Sequence, residues 1–138
     1  PAVFGHNLET VPRLYPQARP QADYARSLAV LRRASDAGLI AKTSLMLGLG
    51  ETPGEIGQTL RDARSAGCRI FFAGQYLRPG ARHLPVARYV EPAEFDRVRD
   101  LAYTLGFDFV ASAPLVRSSY HEDGQSAFVR TALIAIGQ

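Results

Sequence analysis

The chain has 138 residues, 46% of them hydrophobic and 21% charged, which suffices for one ordinary domain with a sizeable core and excludes a disordered segment. Sixteen Lys and Arg against thirteen Asp and Glu give a formal charge of +3, but the signs are interspersed, as in Arg61-Asp62-Ala63-Arg64 and Asp96-Arg97-Val98-Arg99-Asp100. That pattern marks solvated helix faces and argues against the clustered footprint of a nucleic-acid binder.

In chain order, Val3-Phe4 opens a short apolar run that ends at Gly5-His6-Asn7. Pro12, Pro16 and Pro20 then predict an irregular, turn-rich stretch. A helix is expected from Asp23 to Ala37, with Tyr24, Leu28, Leu31 and Ser35 on one stripe and Gly38 as its stop. Lys42 to Leu49 reads as a buried strand. Thr52-Pro53-Gly54-Glu55 then opens a second helix, with Thr52 as N-cap, Pro53 in the first turn and Glu55 completing a capping box. That helix runs to Ala66 and stops at Gly67. Arg69 to Ala73 is the next buried strand, with Cys68 at its start as an inert core thiol. A long loop spans Gly74 to Val90. Glu91-Pro92 starts a third helix, with Phe95, Val98, Leu101 and Leu105 on its apolar face and Gly106 as its stop. Phe107 to Ala111 is a fourth strand, followed by a polar loop and a short helix around 125–136.

Strands alternating with helices imply a parallel sheet with helices outside it, joined by right-handed crossovers. No repeat, low-complexity segment or linker interrupts the pattern, so a single domain over 1–138 is expected. No apolar run approaches the roughly 20 residues needed to cross a bilayer, and no signal peptide is visible. The first residue is Pro rather than Met, which suggests a processed, trimmed or excised chain. Ligands of parallel sheets sit at the C-terminal ends of the strands, and the polar motifs fall there.

Each motif has a plain reading beside the functional one. In Gly5-His6-Asn7-Leu8-Glu9-Thr10, Asn7 and Glu9 can hydrogen-bond hydroxyls such as those of a ribose, or simply complete a turn. In Ser44-Leu45-Met46-Leu47-Gly48-Leu49-Gly50-Glu51, two glycines after a strand allow close backbone approach and the next helix start favours an anion, but the run is neither a Walker loop nor a dinucleotide fingerprint. Gln75, at the next strand end, would point into the site, while His83 in the long loop reads as a solvated histidine. Ser118 and Ser119, beside Arg117 and His121, invite a hydrolase reading. No nucleophile elbow or oriented base accompanies them, so a helix N-cap is the plainer choice.

Taken in order, five runs resemble the lipoyl synthase family: His6 through Tyr15, Gly48-Leu49-Gly50-Glu51-Thr52, Gly74-Gln75-Tyr76-Leu77, His83-Leu84-Pro85-Val86 with Arg88-Tyr89-Val90, and Leu115 through His121. The similarity runs from Val3 to about Asp123. It implies an α/β fold, the C-terminal half of a partial parallel (β/α) TIM-like barrel with about four strands and outer helices. It also implies the radical S-adenosylmethionine (radical SAM) enzymes, with S-adenosylmethionine and two 4Fe-4S clusters as cofactors. In the family, one cluster cleaves S-adenosylmethionine to a 5′-deoxyadenosyl radical. The radical takes hydrogen from C6 and C8 of an octanoyl chain on a lysine of a carrier protein. An auxiliary cluster is consumed as the sulfur source of the lipoyl group.

By resemblance, Asn7 and Glu9 lie near the ribose, Ser44 through Glu51 (Ser44, Gly48, Gly50 and Glu51 above all) pack near the adenosyl moiety, and Gln75 occupies the next strand end. Ser118, with Ser119 as the alternative, matches the serine that ligates iron of the auxiliary cluster, so 112–138 is expected to be a cluster-ligand loop and tail. The family implies a cytoplasmic enzyme, or a mitochondrial one in a eukaryote, whose partner is an octanoylated lipoyl-carrier domain.

The sequence also departs from the family. Gly5 stands where the family has Asn, Ser44 where it has Gly, and the tail from Gly124 differs. Both three-cysteine cluster motifs are absent, and Cys68 matches neither. The isolated chain is therefore expected to lack activity, to show an unpaired strand edge, and to need an N-terminal half. The rival expectation is a non-enzymatic, degenerate half-barrel that binds a nucleotide or a partner chain.

Overall fold

The computed structural model describes residues 2–117. Four strands, β1 (Val3–Gly5), β2 (Ile40–Leu47), β3 (Ile70–Gln75) and β4 (Phe109–Ser112), form one sheet in the order β1-β2-β3-β4. Every neighbouring pair is parallel. Helices α2 (Tyr24–Asp36), α3 (Pro53–Ser65) and α4 (Pro92–Thr104) make the three crossovers. This is the α/β half-barrel pattern that the sequence predicts.

Alternate strand residues face opposite sides of a sheet, and the two sides differ here. Ala41, Leu45, Leu47, Phe71, Ala73 and Val110 pack against Leu31 of α2, Ile56 and Leu60 of α3, and Phe95 and Val98 of α4. Ile40, Ile70, Phe72 and Ala111 form a smaller cluster on the other face, joined by Val3, Phe109 and Val116. Lys42, the only lysine of the chain, is buried on that second face with its ammonium 4.4 Å from the centre of the Phe72 ring.

The helix boundaries agree with their chemical signals. Asp23 caps α2 by accepting from the Arg26 N–H, and Thr52 and Glu55 form the capping box of α3. The strand limits shift. β2 begins two residues earlier than expected, at Ile40, and ends at Leu47, because Gly48 turns the backbone to φ +110°. β3 runs on through Gly74 to Gln75, which pair with Met46 and Leu47. Gly74 reads as a loop start in the sequence, but its backbone is extended. The missing side chain makes room for the Val116 carbonyl, which a Cβ would overlap. β4 starts at Phe109 rather than Phe107, whose ring packs in the core against Phe71. The proline-rich stretch is more ordered than expected, with a 3₁₀ turn at Pro12–Leu14 and a short helix α1 (Tyr15–Ala18). Prolines sit at the first turn of both, where a missing N–H costs nothing. The expected helix around 125–136 lies outside the described residues.

Candidate functional site

After Gly5 the chain leaves the ladder and comes back to it at one residue. The Glu9 N–H donates to the Ser44 carbonyl (3.0 Å), and the Met46 N–H donates to the Glu9 carbonyl (2.8 Å). Between these points the Leu8 N–H donates to Thr43 Oγ1 (3.1 Å). The return requires a left-handed backbone at Glu9, φ +72°, which no other non-glycine among the described residues adopts. Such a conformation costs on the order of 1 kcal/mol and persists only where neighbours enforce it. The neighbours are Tyr15 and Arg19. The Tyr15 hydroxyl donates to the Leu8 carbonyl (2.5 Å), and the Arg19 guanidinium donates to the carbonyls of Asn7 (3.1 Å) and Leu8 (3.2 Å).

Glu9 thereby lines a cavity of about 600 Å³ at the C-terminal ends of β1 and β2. Thr10, Met46, Leu49 and Tyr76 form other walls, and Arg82 and His83 come from the long loop. Burial pushes the Glu9 carboxyl above the usual carboxylate range, while the Arg19 charge and a hydrogen bond from Asn7 oppose that rise. Thr10 is buried, and its hydroxyl has no hydrogen-bond partner. A buried hydroxyl without a partner is costly; Thr10 lines the cavity, but its hydroxyl oxygen is sealed from solvent.

Of the two residues expected near the ribose, Glu9 lines the cavity and Asn7 is not among its lining residues. The Asn7 carbonyl is held by Arg19, and its side chain supports Glu9. The other expected residues lie beside the cavity. Ser44 is buried on the second sheet face, its hydroxyl unpartnered, next to a small space of about 30 Å³ shared with Met46, Gly74 and Arg117. Gly48 does permit a close approach, but by this chain itself. A Cβ there would lie 2.5 Å from both the Arg88 carbonyl and Gln75 Nε2. Glu51 is buried, and its carboxylate accepts from the N–H groups of Gly48 (2.9 Å) and Leu49 (3.0 Å). The Gly50 carbonyl accepts from Arg13 (2.9 Å). The Gln75 amide is fully engaged by backbone: Oε1 accepts from the Val90 N–H (2.8 Å), and Nε2 donates to the carbonyls of Tyr76 (3.0 Å) and Arg88 (3.1 Å). Gly48, Glu51 and Gln75 are thus a scaffold that fixes the loop over 76–90, whose Tyr76, Arg82 and His83 reach the cavity. Ser118 and Ser119 lie outside the described residues.

Thr10 was legible as part of the polar run after β1. Arg19 was not, because it lies in a proline-rich stretch without periodicity, far in sequence from the strand end it serves. Cys68 is buried in the helix-side core, where burial pushes its thiol up to about 12. That is an inert thiol. Among the described residues no three His, Cys, Asp or Glu side chains converge as a metal site. No helix among them is long and apolar enough to cross a membrane.

No family model matches the chain. It is similar to curated lipoyl synthases over nearly its whole length. The lipoyl synthase of Methylococcus capsulatus is 59% identical over 131 residues, 94% of this chain and 41% of the relative. That of Rubrobacter xylanophilus is 54% identical over 132 residues, again 94% of this chain and 41% of the relative. That of Acidothermus cellulolyticus is 58% identical over 120 residues, 87% of this chain and 37% of the relative. The chain spans about two fifths of the length of the curated relatives it matches.

Proposed function

We propose that the chain, similar to lipoyl synthases over nearly its whole length and spanning about two fifths of theirs, is a C-terminal portion of such an enzyme and supplies the nucleoside-binding side of a radical S-adenosylmethionine sulfurtransferase. The observation that carries this reading is the strand-end cavity of about 600 Å³, lined by Glu9, whose backbone is held in a left-handed conformation, and by Thr10, Met46 and Leu49. S-adenosylmethionine suits that lining. Its ribose offers two hydroxyls to a carboxylate, its purine suits the apolar walls at Met46 and Leu49, and its own carboxylate suits the rim at Arg82 and His83. When bound beside the family's iron–sulfur clusters, S-adenosylmethionine supplies the radical that removes hydrogen from C6 and C8 of a carrier-bound octanoyl chain, and the auxiliary cluster supplies the two sulfurs.

This chain's residues bind and orient. Glu9 accepts from the ribose, and Asn7 orients Glu9. Gly48, Glu51 and Gln75 act at one remove by fixing the loop that lines the cavity, Gly50 lies in the strand-to-helix turn, and Ser44 lies on the second sheet face beside a small separate space. The described residues do not fit an iron–sulfur cluster, because Cys68 is sealed in the core. Within this chain, iron ligation falls to Ser118, or Ser119, in the segment 112–138. A hydroxyl is an unusual cluster ligand whose bond breaks readily, which suits a cluster that gives up sulfur. An octanoylated lipoyl-carrier domain would be the protein partner, and the cytoplasm the compartment.

The test uses a hybrid in which the full chain replaces the matching portion of the Methylococcus capsulatus enzyme. Titration with S-adenosylhomocysteine, an unreactive analogue, measures the site directly. Glu9→Gln is expected to weaken binding about tenfold to a hundredfold, the usual effect of losing a hydrogen bond to a charged group. Binding should also weaken as the pH falls through the raised Glu9 pKa, because the protonated acid is a poorer acceptor. Unchanged affinity in the Gln variant would remove Glu9 from the site.

A further inference from the structure

We infer that Tyr15 and Arg19 are positioning residues for the nucleoside contact, holding the two carbonyls that precede Glu9 and so keeping its carboxylate turned into the cavity. The inference rests on the proposed role of Glu9 and adds how that role is built.

Three hydrogen bonds converge on two consecutive carbonyls. Tyr15 Oη donates to Leu8 at 2.5 Å, and one Arg19 nitrogen donates to Asn7 at 3.1 Å and to Leu8 at 3.2 Å. The same nitrogen also lies 3.3 Å from the Tyr15 hydroxyl, and the guanidinium carbon sits 5.5 Å from the Tyr15 ring centre. The pair is therefore one unit, and Tyr15 is itself locked by an edge-on contact with Tyr24 at 5.5 Å. On the N-terminal side, His6 Nε2 lies 3.0 Å from Ser27 Oγ on α2. On the C-terminal side, the Glu9 carbonyl and N–H are tied to β2. The turn is held at both ends, and the Tyr15–Arg19 unit grips its middle. That is where a left-handed glutamate would otherwise relax by rotating its peptide and swinging its side chain away.

Arg19 has a second action. Its charge opposes the burial that pushes the Glu9 carboxyl up. Facing Glu9 and its turn are His6, Arg19 and the Tyr15 hydroxyl, with Arg82 and His83 across the cavity. Among these, Arg19 is the cation whose charge acts on Glu9. A merely structural arginine would change stability without moving the pH dependence of ligand binding. A positioning arginine moves both.

The experiment compares Tyr15→Phe, Arg19→Lys and Arg19→Gln with Glu9→Gln in the same hybrid, each titrated with S-adenosylhomocysteine across pH 5 to 8. Loss of one or two such hydrogen bonds is expected to weaken binding about threefold to tenfold. Arg19→Gln is expected to move the acid limb of the binding profile to higher pH, and Arg19→Lys to restore its position. Thermal unfolding of each variant shows whether the protein is folded at the titration temperature, and the affinity loss of Tyr15→Phe carries the positioning test if the Arg19→Gln variant is not. If Glu9→Gln loses affinity while Tyr15→Phe and Arg19→Gln bind with unchanged affinity and profile, the positioning role falls and the Glu9 site stands. If Glu9→Gln also binds unchanged, both fall.

Discussion

At the scale of single residues, several polar groups that look like ligand contacts in the sequence serve the chain's own backbone. Gln75 sits at a strand end, where a side-chain amide would meet a substrate, yet it closes a ring of bonds to Tyr76, Arg88 and Val90. Its role was illegible because the loop over 76–90 has no periodicity to say where it folds. Gly48 was legible as a position needing a glycine, but the approaching group, Arg88 and Gln75 rather than a ligand, was not. Glu9 was legible as a polar strand-end residue. Its left-handed backbone was not, because Glu carries no local preference for it. Two substitutions separate scaffold from site. Gln75→Leu leaves the buried Val90 N–H without its acceptor, and should lower stability by about 1–3 kcal/mol in urea denaturation of the chain. Gly48→Ala adds a Cβ into two atoms at a positive φ, and should cost at least about 1 kcal/mol. Wild-type stability in both would show that the loop does not depend on this cluster.

At the scale of elements, helix ends were the most readable features, because their signals are local. The run Thr52-Pro53-Gly54-Glu55 carries its own cap, and the structure shows both halves of the box. Strand ends were less readable, because pairing decides them: β3 extends through Gly74 to Gln75 since β2 offers Met46 and Leu47 as partners. The cap of α3 has a pH signature. Hydrogen bonds from the Arg13 guanidinium, and then from the Thr52 backbone, hold the Glu55 carboxyl at about 2, against an ordinary 4.5. A carboxyl lowered on folding adds stability that is complete above its ordinary value and is lost as pH falls towards the folded one. Stability should therefore decline between about pH 5 and pH 2, and Glu55→Gln should flatten that decline. Thr52→Ala should cost about 1 kcal/mol at neutral pH. Denaturant midpoints at pH 7 and pH 3 check both, and an equal decline in wild type and Glu55→Gln would assign the slope to other carboxyls.

At the scale of the whole molecule, the alternation of apolar runs with amphipathic helices was enough to specify a parallel sheet, since strands covered on both faces read as continuous hydrophobic segments. The segment Ile70–Gln75 is such a strand, and Ile40–Leu47 is buried almost throughout although Lys42, Thr43 and Ser44 interrupt its apolar run. What the described residues leave is a four-stranded sheet with β1 and β4 at its edges. Under the proposed function its strand-end cavity takes the nucleoside, and among the described residues no three His, Cys, Asp or Glu side chains converge as a metal site. That division follows from the sequence, where one cysteine goes to the core and the polar residues gather after the strands. The most direct measurement is lipoyl formation by the hybrid that carries the full chain in place of the matching portion of the Methylococcus capsulatus enzyme. Product is read as the mass of an octanoylated carrier domain after anaerobic reaction with S-adenosylmethionine and a reductant. The predicted result is a carrier that has gained two sulfurs, with the gain largely lost in Glu9→Gln. A folded, iron-loaded hybrid that leaves the octanoyl carrier unchanged would contradict the assignment of this chain to a working half of the enzyme.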